Sequence, residues 1–229
     1  MQVLKVTGID GARRARGVVV VIDVLRSFTV SAYALAGGAS ECLLVTTVDE
    51  AQRLAATIAG AVICAEEDAL PVPGIAISNS PTQIVAADLS GRTLIQRSSA
   101  GTQAVSAATD ADETYAGSLV VARATAQACR SSNPSLVTLV ASADFPEDHA
   151  CATYIEALLD GRSAPDLEPL LEPLVETERY RKVAAGRWPG FPAGDLDLAL
   201  QLDRFDFAMP VTRADDHLRL VRRPRPQTP

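Results

Sequence analysis

Aromatic residues are scarce in this chain: Phe, Trp and Tyr make up 4% of its 229 residues. Val, Ile, Leu and Ala must therefore fill the core. Basic charge is also in deficit, since 21 Lys and Arg against 28 Asp and Glu leave a net charge of -7. That balance argues against nucleic acid, which rewards a clustered basic surface. It does not exclude an anionic small molecule, because a few local arginines or a metal can reverse the field inside one pocket. Cysteine is limited to Cys42, Cys64, Cys129 and Cys151, none in a Cys-x-x-Cys pair, and His149 and His217 lie far apart in sequence. A structural zinc site is not expected. Each cysteine sits in an apolar run, so buried free thiols in a reducing cytoplasm are the expectation. No apolar stretch reaches the ~18 residues of a membrane span. The opening Met1-Gln2-Val3-Leu4-Lys5 does not read as a leader.

What is present is a soluble-protein composition, 48% hydrophobic and 21% charged. The length suits one large domain or two small ones. The most informative stretch is Val18-Val19-Val20-Val21-Ile22-Asp23-Val24, followed by Leu25-Arg26-Ser27. An unbroken β-branched run reads as a strand buried on both faces, as in parallel sheets covered by helices. In such sheets the carboxyl ends of the strands border the ligand crevice. That places Asp23, which can hold a hard cation, and Arg26, which can clamp an oxyanion, where a ligand binds.

Strand and helix patterns alternate through the first two thirds. Strands are expected at residues 18–24, 41–45, 61–65, 93–97 and 136–141, with a weaker one at 114–117. Helices are expected at 27–36, 51–59, from Pro81, from about 102 to 108, at 120–130, and from about 146 to 159. Thr47…Glu50, Ser80…Gln83 and Asp144…Glu147 have the spacing of capping boxes. This order predicts an α/β fold, a mostly parallel sheet with helices on both faces in three α/β/α layers. Residues 1–165 form the catalytic core in this reading. Residues 166–229 form a helical, more irregular part packed on it. Within that part, 166–187 reads as helical, 195–202 as a short helix and 207–211 as an edge element. The proline-rich basic tail from about 222 reads as disordered.

Polar groups follow several strand ends: Asp23, Arg26 and Ser27; Glu66, Glu67 and Asp68; Arg97, Ser98, Ser99, Gly101 and Thr102; and Ser142, Asp144, Glu147 and Asp148. Each acid alone is explained as a loop or cap residue. Together on one sheet edge they repel unless neutralised. Mg2+ does so, with oxygen ligands from one or two carboxylates plus water and phosphate. Glu147 alone is accounted for by capping. Asp148 is in phase with Cys151, Ile155 and Leu158 on the apolar stripe, which favours it over Glu147 as a metal or acid/base group. His149 lies off that stripe, on the surface. Ser98-Ser99-Ala100-Gly101-Thr102 has the small residues of an anion-binding turn. Asn79 is left as a further polar contact.

In this order, Ile22-Asp23-Val24-Leu25-Arg26-Ser27, Glu66, Asn79-Ser80-Pro81, Ser99-Ala100-Gly101-Thr102-Gln103, Glu147-Asp148 with Cys151-Ala152, and Gln201-Leu202-Asp203-Arg204 before Pro210-Val211 resemble the 2-phosphosulfolactate phosphatases (the ComB family). The resemblance spans about residues 17–212. It implies an α/β enzyme that hydrolyses a phosphomonoester with Mg2+, the named substrate being a sulfonated three-carbon acid on the route to coenzyme M. It also implies a homodimer. The sequence departs from the family pattern at Ala65-Glu66-Glu67-Asp68, in the loop 69–78, and at Ala141-Ser142, all at the expected pocket.

The expected function is thus Mg2+-dependent hydrolysis of a small phosphate ester, with no nucleic-acid or membrane partner. Asp23, Asp148 and Glu147 are the expected catalytic acids. Asp23, Glu66 and Asp148 are the expected metal ligands. Arg26, Asn79, Arg97, Ser99, Gly101 and Thr102 are expected to bind substrate and phosphate. Asp23 either joins the metal in activating water or attacks phosphorus itself. A haloacid-dehalogenase-type phosphatase needs a second aspartate two residues after the first, and Leu25 stands there. The other alternative is a non-enzymatic module that binds a small anion or a partner.

Overall fold

The computed structural model describes residues 1–214 and 217–224. The β-branched run forms strand β2 (Gly17–Ile22), following β1 (Gln2–Thr7) and helix α1 (Gly8–Arg14). Its side chains alternate between two hydrophobic clusters, Val19 and Val21 into one, Val18, Val20 and Ile22 into the other. Period-two alternation with both faces apolar is why a continuous run is needed here. Each fully buried Val or Ile contributes about 1.5–3 kcal/mol over an exposed one.

The chain continues through α2 (Ser27–Ala36), β3 (Glu41–Val45), α3 (Val48–Thr57), β4 (Val62–Glu67), β5 (Leu70–Pro71), α4 (Pro81–Ala86) and β6 (Thr93–Arg97). Next come α5 (Gly101–Ala107), β7 (Ala111–Gly117), α6 (Ala122–Ser131), β8 (Leu136–Ala141) and α7 (Pro146–Leu159). The last third holds α8 (Leu167–Val175), α9 (Glu178–Ala184), α10 (Gly194–Ala199), β9 (Phe207–Arg213), β10 (Leu218–Leu220) and β11 (Arg223–Pro224). Thr47 and Glu50 make the reciprocal capping box expected of them.

The sheet is mostly parallel, in the order β1-β8-β2-β7-β9-β10-β3-β6-β4-β5, with β11 on β9. Two parallel blocks, β1-β8-β2-β7 and β3-β6-β4, are joined by the antiparallel pair β9-β10. The segment expected at an edge, 207–211, is therefore central: β9 pairs with β7 on one side and β10 on the other. Pro lacks the N–H that an interior strand donates, yet Pro210 is accommodated here opposite Tyr115. The boundary at residue 165 does not separate layers, because strands from both sides of it share one sheet. Arg223 and Pro224, within the expected disordered tail, form β11, while 225–229 lie outside the described residues.

The three antiparallel steps β7-β9, β9-β10 and β10-β3 give the second block the opposite sense to the first along the ladder. A single edge collecting all strand ends is thus not how the loops meet. One face of both blocks packs into a common cluster with α2, α4 and α5, so the sheet curls around it. Twist of roughly 20–25° per strand step turns the second block far round relative to the first. The outer faces are covered separately, by α6 and α7 on the first block and by α3 on the second.

Candidate functional site

A cavity of about 420 Å3 lies where the loops after β2, β4, β6 and β8 converge. Asp23, Leu25 and Arg26 enter from the first loop, Glu66, Asp68 and Ala69 from the second, Ser99 and Ala100 from the third, and Ala143 and Phe145 from the fourth. Asn79 lines it just ahead of α4. The last third adds Arg179, Trp188 and Phe191.

Asp23 and Glu66, which line this cavity, and Glu147, Asp148 and Asp195 beside it are buried carboxylates. Asp23 lines it, and its Oδ1 accepts from the Ser27 N–H at 3.0 Å. Burial, assisted by the charges of Glu66 and Glu147, pushes its pKa up to about 6, against the pull of Ser27 N–H and Arg179. Asp148 is an anchor: Oδ1 accepts from Val24 N–H at 2.8 Å and Oδ2 from the Ser142 hydroxyl at 2.9 Å. Burial, then repulsion from Asp23 and Glu147, holds its carboxyl well above the usual range. The acids expected to share a rim thus do meet, but Asp23 faces the cavity while Asp148 braces the turn behind it. Glu147 is not a cap. Phe145 occupies the N-cap position, and Asp144 instead pairs with His149 at the surface. Glu147 Oε1 accepts from Arg179, and its Oε2 is buried with no hydrogen-bond partner among the described residues.

Arg26 is anchored through one terminal nitrogen and one face of its guanidinium. Its Nη1 donates to Gly190 O at 2.6 Å and Asp195 Oδ2 at 3.1 Å, and its guanidinium lies 3.8 Å above the Phe191 ring. Asp195 also accepts from Ser80 Oγ and Thr82 N–H. Burial draws the Arg26 pKa down, and the adjacent Asp195 opposes it. Arg97, expected at the anion, does not line the cavity. Its guanidinium bonds Glu66 O, Ser99 Oγ and Thr46 O, tying β6 to neighbouring loops.

Glu66 is committed to backbone. Oε1 accepts from Ser99 N–H at 2.5 Å, and Oε2 from Ala69 N–H at 2.5 Å and Ser99 Oγ at 3.1 Å. Its carboxylate shapes the 98–102 turn. Thr102 is buried in the same turn, bonded to Ser98. Gly101 is needed for close approach: a Cβ there would lie 2.6 Å from Asp23 Oδ2 and 2.7 Å from Ser27 Cβ. Gly101→Ala is expected to cost about 1–3 kcal/mol of stability and to lower turnover by displacing Asp23. Denaturant unfolding and steady-state kinetics of one preparation check both. Asn79 adopts φ 57° and accepts from Gln96 Nε2 at 2.9 Å.

A family model described as 2-phosphosulpholactate phosphatase matches residues 4–179. The chain belongs to that family. A probable 2-phosphosulfolactate phosphatase of Bacillus subtilis (strain 168) is 32% identical over 195 residues, 84% of this chain and 86% of the relative. A protein of the same description from Carboxydothermus hydrogenoformans is 38% identical over 144 residues, 62% of this chain and 60% of that one.

In this 2-phosphosulpholactate phosphatase family member, sequence reasoning missed Arg179, Asp195, Trp188 and Phe191. Arg179 sits in a charged segment that reads as helical, and Asp195 opens what reads as a short helix. The only local signal was Trp188-Pro189-Gly190-Phe191-Pro192, which puts two of the chain's few aromatics in a loop, where no core position calls for them.

Proposed function

We propose that this chain hydrolyses a small acidic phosphomonoester, converting 2-phosphosulfolactate and water to sulfolactate and inorganic phosphate, with Mg2+ as cofactor. The observation that carries this reading is Asp23: a desolvated carboxylate, pinned through one oxygen by Ser27 and opening on a cavity that two arginines also line. A carboxyl group pushed to about 6 is set close to neutrality, where both proton transfer and attack are served. Family membership and the names of the relatives supply the substrate.

Among the described residues, no group of three His, Cys, Asp or Glu side chains forms a ready metal cage. Mg2+ does not need one, since it is ordinarily held by one or two carboxylates, water and phosphate oxygen. Asp23 fits that pattern. Buried Glu147 pairs with Arg179 through Oε1, and among the described residues its Oε2 has no hydrogen-bond partner, which leaves a second oxygen open to a cation. Glu66 and Asp148 have both oxygens engaged by donors. When bound, Mg2+ offsets the negative charge of the phosphoryl oxygens. Arg26 and Arg179 draw in the anion. Ser27 N–H fixes the Asp23 carboxylate, which either attacks phosphorus, breaking the bond to the sulfolactate oxygen and giving an aspartyl-phosphate that water then hydrolyses, or takes the proton of the attacking water as that oxygen leaves. Acid quench and mass spectrometry separate these routes: a phosphoryl adduct on Asp23 marks direct attack.

Phosphate release from 2-phosphosulfolactate is expected with Mg2+ and is expected to stop in EDTA. Undiminished turnover in EDTA removes the metal from the proposal. Absence of release from any small phosphomonoester removes the phosphatase reading itself. A homodimer and a cytoplasmic location belong to the same reading. Four buried free cysteines support a reducing compartment, and light scattering after size exclusion tests the dimer.

A further inference from the structure

Arg179 is the least committed cation of the cavity. It comes from α9, far along the chain from Asp23. Its guanidinium lies over the Phe145 ring, 3.9 Å from the centroid. One edge is held by Glu147, and among the described residues that is its only hydrogen bond. A guanidinium carries five N–H donors, so most of this fork is left for the cavity it lines. Its side chain is 18% exposed. Arg26 shares the ring contact, lying over Phe191, but its side chain is only 2% exposed and its Nη1 already serves two acceptors, Gly190 O and Asp195.

The ring beneath Arg179 and the carboxylate at its edge fix both the plane and the direction of the fork before any ligand arrives. A fixed guanidinium matches the oxygens of a carboxylate or sulfonate, and it is weakly enough hydrated to give up water for them. The phosphoryl group belongs beside Asp23 in the reaction set out above. Apolar Leu25, Trp188 and Phe191 also line the cavity and offer an acid nothing. Of the two arginines that line the cavity, Arg179 is the more exposed and has a single acceptor, which makes it the better-placed partner for an acid that a substrate carries besides its phosphate. We propose that Arg179 reads that second acid group, a carboxylate or sulfonate on the phosphorylated carbon skeleton, and so sets a preference for acidic over neutral phosphomonoesters. This rests on the phosphatase reading of the same cavity.

Three esters that differ by one group at a time test it: 2-phosphosulfolactate, 2-phospholactate and isopropyl phosphate. The readout is the ratio of kcat/KM between them, with Mg2+, for the wild type, R179K and R179Q. The wild type is expected to prefer the acidic esters, and R179Q to lose about 10- to 100-fold of that preference, with R179K between. If the carboxylate is the group read, the phospholactate-to-isopropyl ratio collapses. If it is the sulfonate, only the phosphosulfolactate-to-phospholactate ratio does. Unchanged ratios, or equal loss on all three esters, overturn the proposal. R179K keeps a cation opposite Glu147 and guards against a variant that merely fails to fold, which thermal melting monitors. Calorimetric titration with lactate and sulfolactate separates the two readings. Arg179-dependent binding with no turnover of any ester keeps the acid subsite and removes the phosphatase. Turnover with ratios indifferent to Arg179 does the reverse. Neither turnover nor binding removes both.

Discussion

Asp23→Asn is expected to lower phosphatase turnover by at least about a thousandfold, in the upper part of the range for loss of an acid/base group. Asn keeps the shape and can still accept from Ser27 N–H, but it has neither the charge to hold a cation nor the basicity to react. The same variant is expected to fold normally and to be more stable than the wild type at pH 8 without metal. The sign follows from linkage. Asp23 has its carboxyl raised from 3.8 to about 6, so between those values the folded chain binds more protons than the unfolded one. Stability then falls as pH rises through that window and levels above about 6. The ionised carboxylate is thus a burden on the metal-free fold at neutral pH, and Asn removes it. Metal-free urea denaturation at pH 5 and pH 8, with phosphate release measured alongside, checks both halves. Full activity in Asp23→Asn would remove Asp23 from the chemistry.

Asp195→Ala is expected to be the most destabilising single change near the cavity, at about 3–5 kcal/mol for breaking one side of a buried pair. Asp195 and Arg26 are both buried, and Asp195 also accepts hydrogen bonds from the Ser80 hydroxyl and Thr82 N–H. Its loss strands a guanidinium under Phe191 and frees the start of α4. Equilibrium unfolding in guanidinium chloride measures the effect. A loss below about 1 kcal/mol would place the pair among those that contribute little. Since Arg26 also lines the cavity, KM is expected to rise in the same variant.

The expectations that held were local ones. β3 and β6 fall on the predicted residues because short apolar runs between turn signals leave little room for another assignment. Helix α2 begins and ends where predicted, with Gly37 and Gly38 following it. α4 starts at Pro81 behind a capping serine, as the spacing required. Departures came where a distant partner decides the outcome. Gln83 was expected to complete that cap, but its side chain accepts from Ser78 N–H instead. Glu147 had the spacing of a capping residue, and a half-buried arginine from α9 claimed it. Asp23 was legible because a carboxylate ending an apolar strand is anomalous on its face. Arg179 was not, because an arginine among Glu178, Arg181 and Lys182 has nothing local to distinguish it. The central place of β9 and β10 was hidden for the same reason, since pairing order between strands leaves no trace in periodicity.

The position of that hairpin has a consequence for how the molecule is made. Until residues 207–220 emerge from the ribosome, β7 and β3 each present a raw ladder of unpaired backbone groups. The nascent polypeptide then carries two half-sheets with nothing between them, a state prone to pairing with the wrong neighbour. The final closure joins segments remote in sequence, so acquisition of the native state is expected to be slow and to lean on chaperones during synthesis.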